Sequence, residues 1–264
     1  MRLALGVSYN GSGYEGWQSQ LSGNTIQDKL ENALKQFCAH PVRIICAGRT
    51  DAGVHGLMQV VHFDTQLERE TTSWVRGTNA FLPLDIAVQW ARVMPDDFHA
   101  RGSAISRRYA YVVLESFVRP SVEAGRVGWV YRPMNEHKMR EAAQCLLGEH
   151  DFSSFRAAQC QSKTPVKTLR RIDITQRRGR DSAYWHFEFE ANAFLHHMIR
   201  NLMGCLVAVG QGLQSPQWMA DVLAARRRDA AAPTFSPSGL YFLGPVYDDR
   251  YSLPTRTPAF DWLP

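Results

Sequence analysis

The segment AGRTDAGVHG, residues 47–56, carries the side chains of this chain best suited to chemistry. Short apolar strands are predicted on both sides of it, so this small, polar segment should form a loop on rigid flanks. Such loops often carry functional side chains, and Arg49 would keep the nearby Asp51 carboxylate ionised at neutral pH. A simpler interpretation is an aspartate that hydrogen-bonds its own backbone in a tight turn, which is the commoner role beside glycine.

Two further patterns could suggest a metal or a nucleotide, but neither fits. His196 and His197 fall in a predicted helix, where adjacent side chains point about 100° apart, and no second ligand pair is spaced to join them. The turn at Gly11-Ser12-Gly13 lacks the Walker lysine and the dinucleotide spacing. The five cysteines include no Cys-x-x-Cys pair, which argues against a zinc ribbon or a disulfide framework. We predict no metal and no cofactor.

Composition indicates a globular protein, with 45% hydrophobic and 21% charged residues in a chain of 264. No apolar run approaches the roughly 18 residues of a membrane span, and the start lacks a signal-peptide layout, so we expect a cytoplasmic protein with no membrane partner. The net charge of +5 is modest. All but five of the thirty basic residues are arginine, whose planar fork suits phosphate and base edges. A GC-rich genome would produce the same bias.

Periodicity predicts an α+β fold, because strands outnumber helices and the two are mixed in order. In residues 1–102, which we expect to form one α/β half, strands are predicted at Leu3–Tyr9, Val42–Ala47, Gln59–Asp64 and 86–90, and helices at Thr25–Ala39 and Ser73–Phe81. In residues 103–264, the other half, strands are predicted at Ser106–Glu115, Leu169–Thr175, Tyr184–Ala191 and Gly239–Val246, and helices at Asn135–Leu147, Leu195–Gly210 and from Ser215.

The loop GRTDAGVHG closely resembles the signature loop of the tRNA pseudouridine synthase A family. The family's other blocks follow in order over nearly the whole chain: YNGSGYEGWQ, DFHARGSAISRRYAY, CLLGEHDFSSFRAAQCQSKTP, ANAFLHHMIRNLMG and GLYFLGPVY. The resemblance implies the pseudouridine synthase fold, with two packed α/β halves, mixed and largely antiparallel sheets flanked by helices, and an RNA-binding cleft between the halves. It also implies an isomerase that converts uridine to pseudouridine in tRNA without a cofactor.

The resemblance assigns a catalytic role to each of three residues. Asp51 is the catalytic carboxylate, and whether it attacks the ribose C1′, attacks the uracil C6 or removes a sugar proton stays open. Arg200, which we place on a helix four residues after His196 and on the same face, is the ion-pair partner that orients Asp51. Tyr109 packs on the target uracil, and Arg49 guides base flipping or fills the vacated space. The simpler roles are a surface arginine for Arg200, a core aromatic for Tyr109 and a partner of Asp51 alone for Arg49.

Further residues match family segments that touch tRNA. Arg101 and Lys163 would bind the RNA backbone, with His99, Gln161 and Ser162 beside them, and such contacts carry no sequence information. The remaining arginine runs could extend this surface, but a charge run is usually a solvated face, and we leave them out of the site. They are Arg170-Arg171, Arg177-Arg178-Arg180 and Arg226-Arg227-Arg228.

By resemblance the substrate is the anticodon stem-loop, at uridines 38–40 of the tRNA, and the enzyme is a homodimer that shares each tRNA. One alternative is a non-catalytic RNA-binding protein, although binding alone would not need Asp51, Tyr109 and Arg200 together. Another is a pseudouridine synthase that acts on a different RNA site, which the sequence separates poorly from the first interpretation.

Overall fold

A computed structural model describes residues 1–179 and 181–254 of the chain. In chain order the elements are β1 (Arg2–Tyr9), α1 (Ile26–Cys38), β2 (Ile45–Cys46), β3 (His55–Asp64), α2 (Thr71–Asn79), β4 (Ile86–Met94), β5 (Ala104–Ser116), β6 (Gly128–Val130), α3 (Glu136–Gln144), β7 (Gly148–Asp151), β8 (Val166–Arg178), β9 (Ser182–Ala191), α4 (Met198–Gly210), α5 (Pro216–Ala225) and β10 (Leu240–Tyr247). Within this part of the chain, every helix is too short or too polar to cross a bilayer.

Two compact units divide the chain. The first consists of Met1–Arg107 and the described residues from Tyr241 onward, and the second is Arg108–Leu240. These units do not coincide with the predicted halves 1–102 and 103–264, because β10 returns to the first unit and pairs in parallel with the start of β3. The halves as carriers of the catalytic loop and of its partners stay a prediction.

The first unit is built on a sheet with the order β4-β1-β3-β10. β1 runs antiparallel to both β3 and β4, and β2 adds a short antiparallel pairing to β3. Alternate residues of β1, such as Leu5, pack with the apolar face of α1, including Leu30. The N-terminus of α1 is capped by Thr25, whose side chain accepts a hydrogen bond from the Asp28 backbone N–H.

The second unit contains strands in the order β5-β9-β8-β7, with β6 parallel to β5. β8 runs antiparallel to β7 and β9. Along β9 buried residues alternate strictly with partly exposed ones, which confirms the predicted two-faced strand. Helix α4 is buried along nearly all of its length and packs with α3 and α5. The mixed, largely antiparallel pairing and the five helices of the described chain confirm the predicted α+β class.

Local elements differ from the prediction at several places: strands β6 and β7 were not predicted, and two further differences bear on the candidate site. The predicted strand Val42–Ala47 is reduced to Ile45–Cys46. The first part of the predicted strand bonds instead to Glu31 of α1, whose carboxylate pairs with the Arg43 guanidinium at 2.8 Å and accepts the Ile44 backbone N–H at 3.2 Å. A contact between distant parts of the chain therefore replaces strand pairing here.

Helix α4 begins at Met198 rather than near Leu195, because His197 precedes it with a left-handed φ of 61°. The placement of His196 on the same helical face as Arg200 is therefore wrong. The rings of His196 and His197 lie 4.1 Å apart between centroids instead of pointing apart as helical neighbours would. Helix geometry therefore no longer argues against a metal at these two histidines, and the absence of a metal stays a prediction.

Candidate active site

The Asp51 loop is anchored on the side of Thr50, the residue that precedes the carboxylate. Thr50 is buried, and its hydroxyl lies 2.9 Å from the hydroxyl of Tyr9 on β1. Its carbonyl accepts the backbone N–H of Trp17 at 3.0 Å, while the Asp51 carbonyl accepts that of Val54 at 3.1 Å. Strand β1 and the loop that follows it therefore fix the backbone on which the half-buried Asp51 side chain stands.

Two glycines allow the opening block YNGSGYEGWQ to approach this loop closely. A Cβ at Gly16, whose φ is +91°, would lie 2.8 Å from the Thr50 carbonyl oxygen. A Cβ at Gly11 would overlap the Val54 carbonyl oxygen at 1.9 Å. Only glycine fits at both places. The block thus supports the Asp51 loop, a role that inspection of the block alone did not predict.

Gln59 of β3 holds the start of the loop at Gly48. Its side-chain amide is fully buried, accepts the Gly48 backbone N–H at 3.3 Å and donates to the Gly48 carbonyl. One amide thereby satisfies both backbone groups of a loop residue. With Thr50 also held, the backbone that leads into Asp51 is bound by buried groups at two positions, which is how a rigid scaffold positions a functional side chain.

Arg49 and Arg101, which are far apart in sequence, both act on one buried thiol, that of Cys46. Arg101 donates from Nη2 to the Cys46 Sγ at 3.8 Å. Burial raises the pKa of the Cys46 thiol, and the positive charges of Arg101 and Arg49 partly oppose that rise. The structure therefore brings these two predicted tRNA-binding residues together in the first unit, and both have exposed side chains.

His99 closes the turn that presents Arg101. Its Nδ1 accepts the backbone N–H groups of Arg101 at 3.2 Å and Gly102 at 3.0 Å, so the ring proton sits on Nε2. Arg107, a basic neighbour of Tyr109 in sequence that was not among the predicted site residues, donates to the carbonyls of Arg101 and Ala47 at 2.6 and 3.3 Å. It connects the Arg101 turn to the strand that leads into the Asp51 loop. In the sequence, its place in the segment SRRYAY is the feature that could have indicated this role.

A second histidine, His62, supports the same turn. His62 of β3 is buried and accepts the Ala100 backbone N–H on Nδ1 at 3.1 Å. Burial, with a smaller contribution from the neighbouring His99, lowers the pKa of His62 to about 4. The neutral imidazole is therefore the form that holds the turn.

In the second unit Tyr109 lies on β5 and is buried, with 8% of its surface exposed. The ring of Phe194 meets it nearly at right angles, at 5.2 Å between centroids. Phe194 belongs to the ANAFLHHMIRNLMG block and was not predicted as a site residue. The burial fits a core aromatic as well as a stacking platform, so the stacking role stays a prediction.

Arg200 is held in the first turn of α4 by the segment that precedes β10. Its Nε donates to the Phe235 carbonyl at 2.9 Å, and the Phe235 backbone N–H donates to the Arg200 carbonyl at 3.1 Å. Next to it the fully buried Asn201 donates to the Phe155 carbonyl and accepts from Thr234, at 2.8 and 2.7 Å. The start of α4 is therefore rigid, which orients the Arg200 side chain.

The loop with Gln161, Ser162 and Lys163 is shaped by Arg156, which donates to the carbonyls of Cys160 and Ser162 at 2.8 and 3.0 Å. Gln161 and Lys163 are exposed, as phosphate-binding side chains must be. Lys167, by contrast, is buried and donates to the carbonyls of Thr164 and Val166. Burial lowers its pKa.

The arginine runs have mixed roles. Arg228 is half-buried and donates to Asn201 at 3.1 Å and Thr234 at 3.0 Å, so it holds the chain in place and is not a solvated surface residue. Arg226 lies 3.8 Å from Asp151, and Arg171 pairs with Asp173. Arg180 lies outside the described residues.

The predicted site residues are thus divided between the two units: Asp51, Arg49, His99 and Arg101 belong to the first, and Tyr109, Gln161, Ser162, Lys163 and Arg200 to the second. In the first unit a carboxylate able to act as nucleophile or base stands near exposed guanidinium groups. In the second an aromatic ring, an oriented arginine and an exposed lysine are available. Side chains of these types suit a negatively charged substrate with a planar base.

Comparison with known proteins identifies many relatives. A family model described as tRNA pseudouridine synthase matches residues 6–101 and 142–248, more than half of the chain. The tRNA pseudouridine synthase A of Polaromonas sp. strain JS666 is 76% identical over 264 residues, with 100% of both chains covered. The protein of the same description from Acidovorax ebreus strain TPSY is 68% identical over 274 residues, again with 100% of both chains covered.

Solved structures give a weaker likeness. The crystal structure of a Cbf5-Nop10-Gar1 complex matches with a TM-score of 0.35 and 12% identity, covering 78% of this chain and 45% of the other. An H/ACA RNP bound to a substrate RNA containing 2′-deoxyuridine matches with a TM-score of 0.36 and 12% identity, covering 87% and 59%. We draw no argument from likeness at this level.

Proposed function

The chain belongs to the tRNA pseudouridine synthase family, and from this premise we propose that Asp51 is the carboxylate with which it isomerises uridine in tRNA. Membership confirms the predicted family, the pseudouridine synthase fold and the isomerase activity on tRNA. The observation that carries the assignment of Asp51 is its loop, whose backbone is bound by buried groups at Thr50 and at Gly48 while the carboxylate remains half-buried.

The reaction breaks the bond from uracil N1 to ribose C1′ and forms one from C5 to C1′. N1 gains a proton and C5 loses one, so no electrons are gained or lost overall. A single ionised carboxylate can attack the ribose or the base, or can remove a sugar proton, and each route begins with Asp51. We propose that Arg200 orients this carboxylate as its ion-pair partner and that Tyr109 stacks on the flipped uracil.

We further propose that Arg101 and Lys163 bind backbone phosphates, with His99, Gln161 and Ser162 beside them and with Arg49 guiding the flipped base. The exposure of Arg49, Arg101 and Lys163 supports this division, since a phosphate-binding side chain must reach the RNA. The Nε2 proton that the His99 turn leaves available adds a further donor beside Arg101.

The target and the assembly are also proposals. We propose uridines 38–40 of the anticodon stem-loop as the target and a homodimer as the active form, on the strength of the family relationship. A substrate that is tRNA supports the predicted cytoplasmic location. Mapping pseudouridine in tRNA from cells with and without the protein tests the target, and modification at another RNA site would support the alternative.

The assignment of Asp51 is tested by Asp51→Asn, which keeps the size of the side chain and removes its charge. We expect unchanged tRNA affinity and a loss of tritium release from C5-labelled uridine of at least about 10³-fold, as for removal of a nucleophile. Asp221→Asn, on the exposed face of α5, serves as a matched control that should retain full turnover. Turnover near wild type in Asp51→Asn would show that another group starts the reaction.

A further inference from the structure

A part of the second unit that the proposed catalysis does not use combines exposed aromatic rings with arginines. It spans residues 116–132, from the last residue of β5 to the second residue after β6. Phe117 is 88% exposed, Tyr131 54% and Trp129 39%. Large aromatic side chains with this exposure usually mark a binding surface. We refer to residues 116–132 as the aromatic–arginine segment.

The rings are held in place rather than free to move. Trp129 lies on β6 opposite Leu114 of β5, and its indole N–H donates to the Ser116 carbonyl at 2.9 Å. The Tyr131 ring lies 6.3 Å from that of Trp129 between centroids, and the Arg132 guanidinium stands 5.3 Å from the Tyr131 centroid. Two neighbouring rings and a cation are therefore displayed together at the end of β6, and such pre-organisation reduces the entropy lost on binding.

The charge of this segment is positive. It contains Arg119, Arg126 and Arg132 against the single acid Glu123. Glu123 accepts a hydrogen bond from the Tyr184 hydroxyl at 2.8 Å, and the Arg177 guanidinium stands 5.6 Å from the Tyr184 centroid. The basic surface therefore continues onto β8, where the sequence had placed an arginine run of open role.

This chemistry favours RNA over a second copy of the chain. A two-fold axis through the segment would bring like-charged arginines of both copies together with one glutamate each to offset them. Guanidinium groups match phosphates, and exposed rings stack on unpaired bases whatever their sequence. The exposed Val118 and Val122 suit either partner and do not decide.

We propose that the aromatic–arginine segment is an additional tRNA-binding surface, in which Arg119 and Arg132 bind backbone phosphates and Trp129 with Tyr131 stacks on an unpaired base. The proposal rests on tRNA as the substrate. It adds to the contacts proposed for Arg101 and Lys163, and its function is to increase affinity without taking part in catalysis.

The test uses the full chain with the double variant Arg119→Gln/Arg132→Gln and, separately, Tyr131→Ala. Filter binding of a tRNA transcript is measured across a salt series, with tritium release at saturating tRNA. We expect the double variant to bind several-fold more weakly and the slope of log K against log salt to fall by roughly 0.7 to 0.9 per lost contact. Tyr131→Ala should weaken binding about fivefold or more with the salt slope unchanged. Turnover at saturation should equal that of wild type.

The control is Arg76→Gln/Arg92→Gln, which removes two exposed arginines from the first unit and leaves the segment intact. Equal loss of affinity in both double variants would mean that net charge alone acts and would overturn the proposal. Unchanged affinity and an unchanged salt slope would also overturn the proposal. A change in subunit association, measured by sedimentation, without a change in tRNA affinity would overturn it too and would assign the segment to contact with a second copy. Failure of the catalytic assignment is separate, since Asp51→Asn changes turnover and these variants change affinity.

Discussion

Removing the Tyr9 hydroxyl tests how strongly the support beneath the Asp51 loop affects turnover. Tyr9 is 4% exposed and Thr50 6% exposed, and their hydroxyls lie 2.9 Å apart, with Thr50 one residue before the proposed catalytic carboxylate. Burial raises the pKa of Tyr9, so the phenol is protonated at every pH of interest. Tyr9→Phe keeps the ring and deletes the hydroxyl, which interacts with Thr50 and also with the buried Gln59 side chain.

The expected cost follows from the burial of both partners. A hydrogen bond of this kind contributes about 0.5–1.5 kcal/mol net, while a buried hydroxyl left without a partner costs about 1–3 kcal/mol. Tyr9→Phe leaves the Thr50 hydroxyl buried, so we expect the free energy of unfolding to fall by about 1–3 kcal/mol. Thr50→Val removes the other partner, and the double variant should lose about 1 kcal/mol less than the sum of the single variants.

Urea titration measures stability, and tritium release at saturating tRNA measures kcat. Because a small displacement of a catalytic group is costly, we expect kcat of Tyr9→Phe to fall about tenfold with tRNA affinity unchanged. Tyr247→Phe is the matched control, since that hydroxyl donates to the Ala100 carbonyl at 2.6 Å, away from Thr50, and its loss should reduce stability without lowering kcat. Additive stability effects of Tyr9→Phe and Thr50→Val, or a normal kcat, would refute the reasoning.

Two further predictions concern the same unit. Gly16→Ala should lower the free energy of unfolding by about 2 kcal/mol or more, because it combines a positive φ with a Cβ 2.8 Å from the Thr50 carbonyl oxygen. Gly13→Ala is the control, since its Cβ meets nothing within 4 Å. It should lower the free energy of unfolding by less than about 1 kcal/mol in the same urea titration. The pKa of His62 falls from 6.5 to about 4 on folding, so the unfolded chain binds the proton more tightly and stability should decrease as pH falls from 6.5 to 4. His62→Gln should flatten that pH dependence of the urea midpoint, and an unaltered slope would assign it to other groups.

The sequence was sufficient for elements with a clear local pattern. Strand β9 alternates buried and partly exposed residues as predicted, since alternation depends only on the pleat. Helix α1 spans Ile26–Cys38 within the predicted Thr25–Ala39, because Thr25 provides the cap. The bounds of the strand predicted at Val42–Ala47 depend instead on Glu31, whose side chain replaces strand pairing at the first part of this segment. No local pattern in the sequence contains that contact.

The site shows the same limit. The family blocks predicted Asp51, Arg101 and Arg200 as site residues, but the groups that contact them or their neighbours include backbone carbonyls and buried amides, whose positions depend on tertiary packing. Asn201 is one example, because its sequence neighbours say nothing of its bonds to Phe155 and Thr234. Arg228 is another, since composition predicted a solvated charge where the structure has a half-buried donor.

The return of β10 to the first unit also has a consequence for the order in which the protein is made. Ribosomes synthesise chains from the N-terminus, and domains tend to fold as they emerge. The second unit is continuous, Arg108–Leu240, and all of it is translated before β10. Strand β3, which begins at His55, therefore pairs with Tyr241 and Phe242 only after residues 56–240 have been added. The enzyme acquires its complete catalytic support only near the end of translation, after the unit encoded in the middle of its gene has had time to fold.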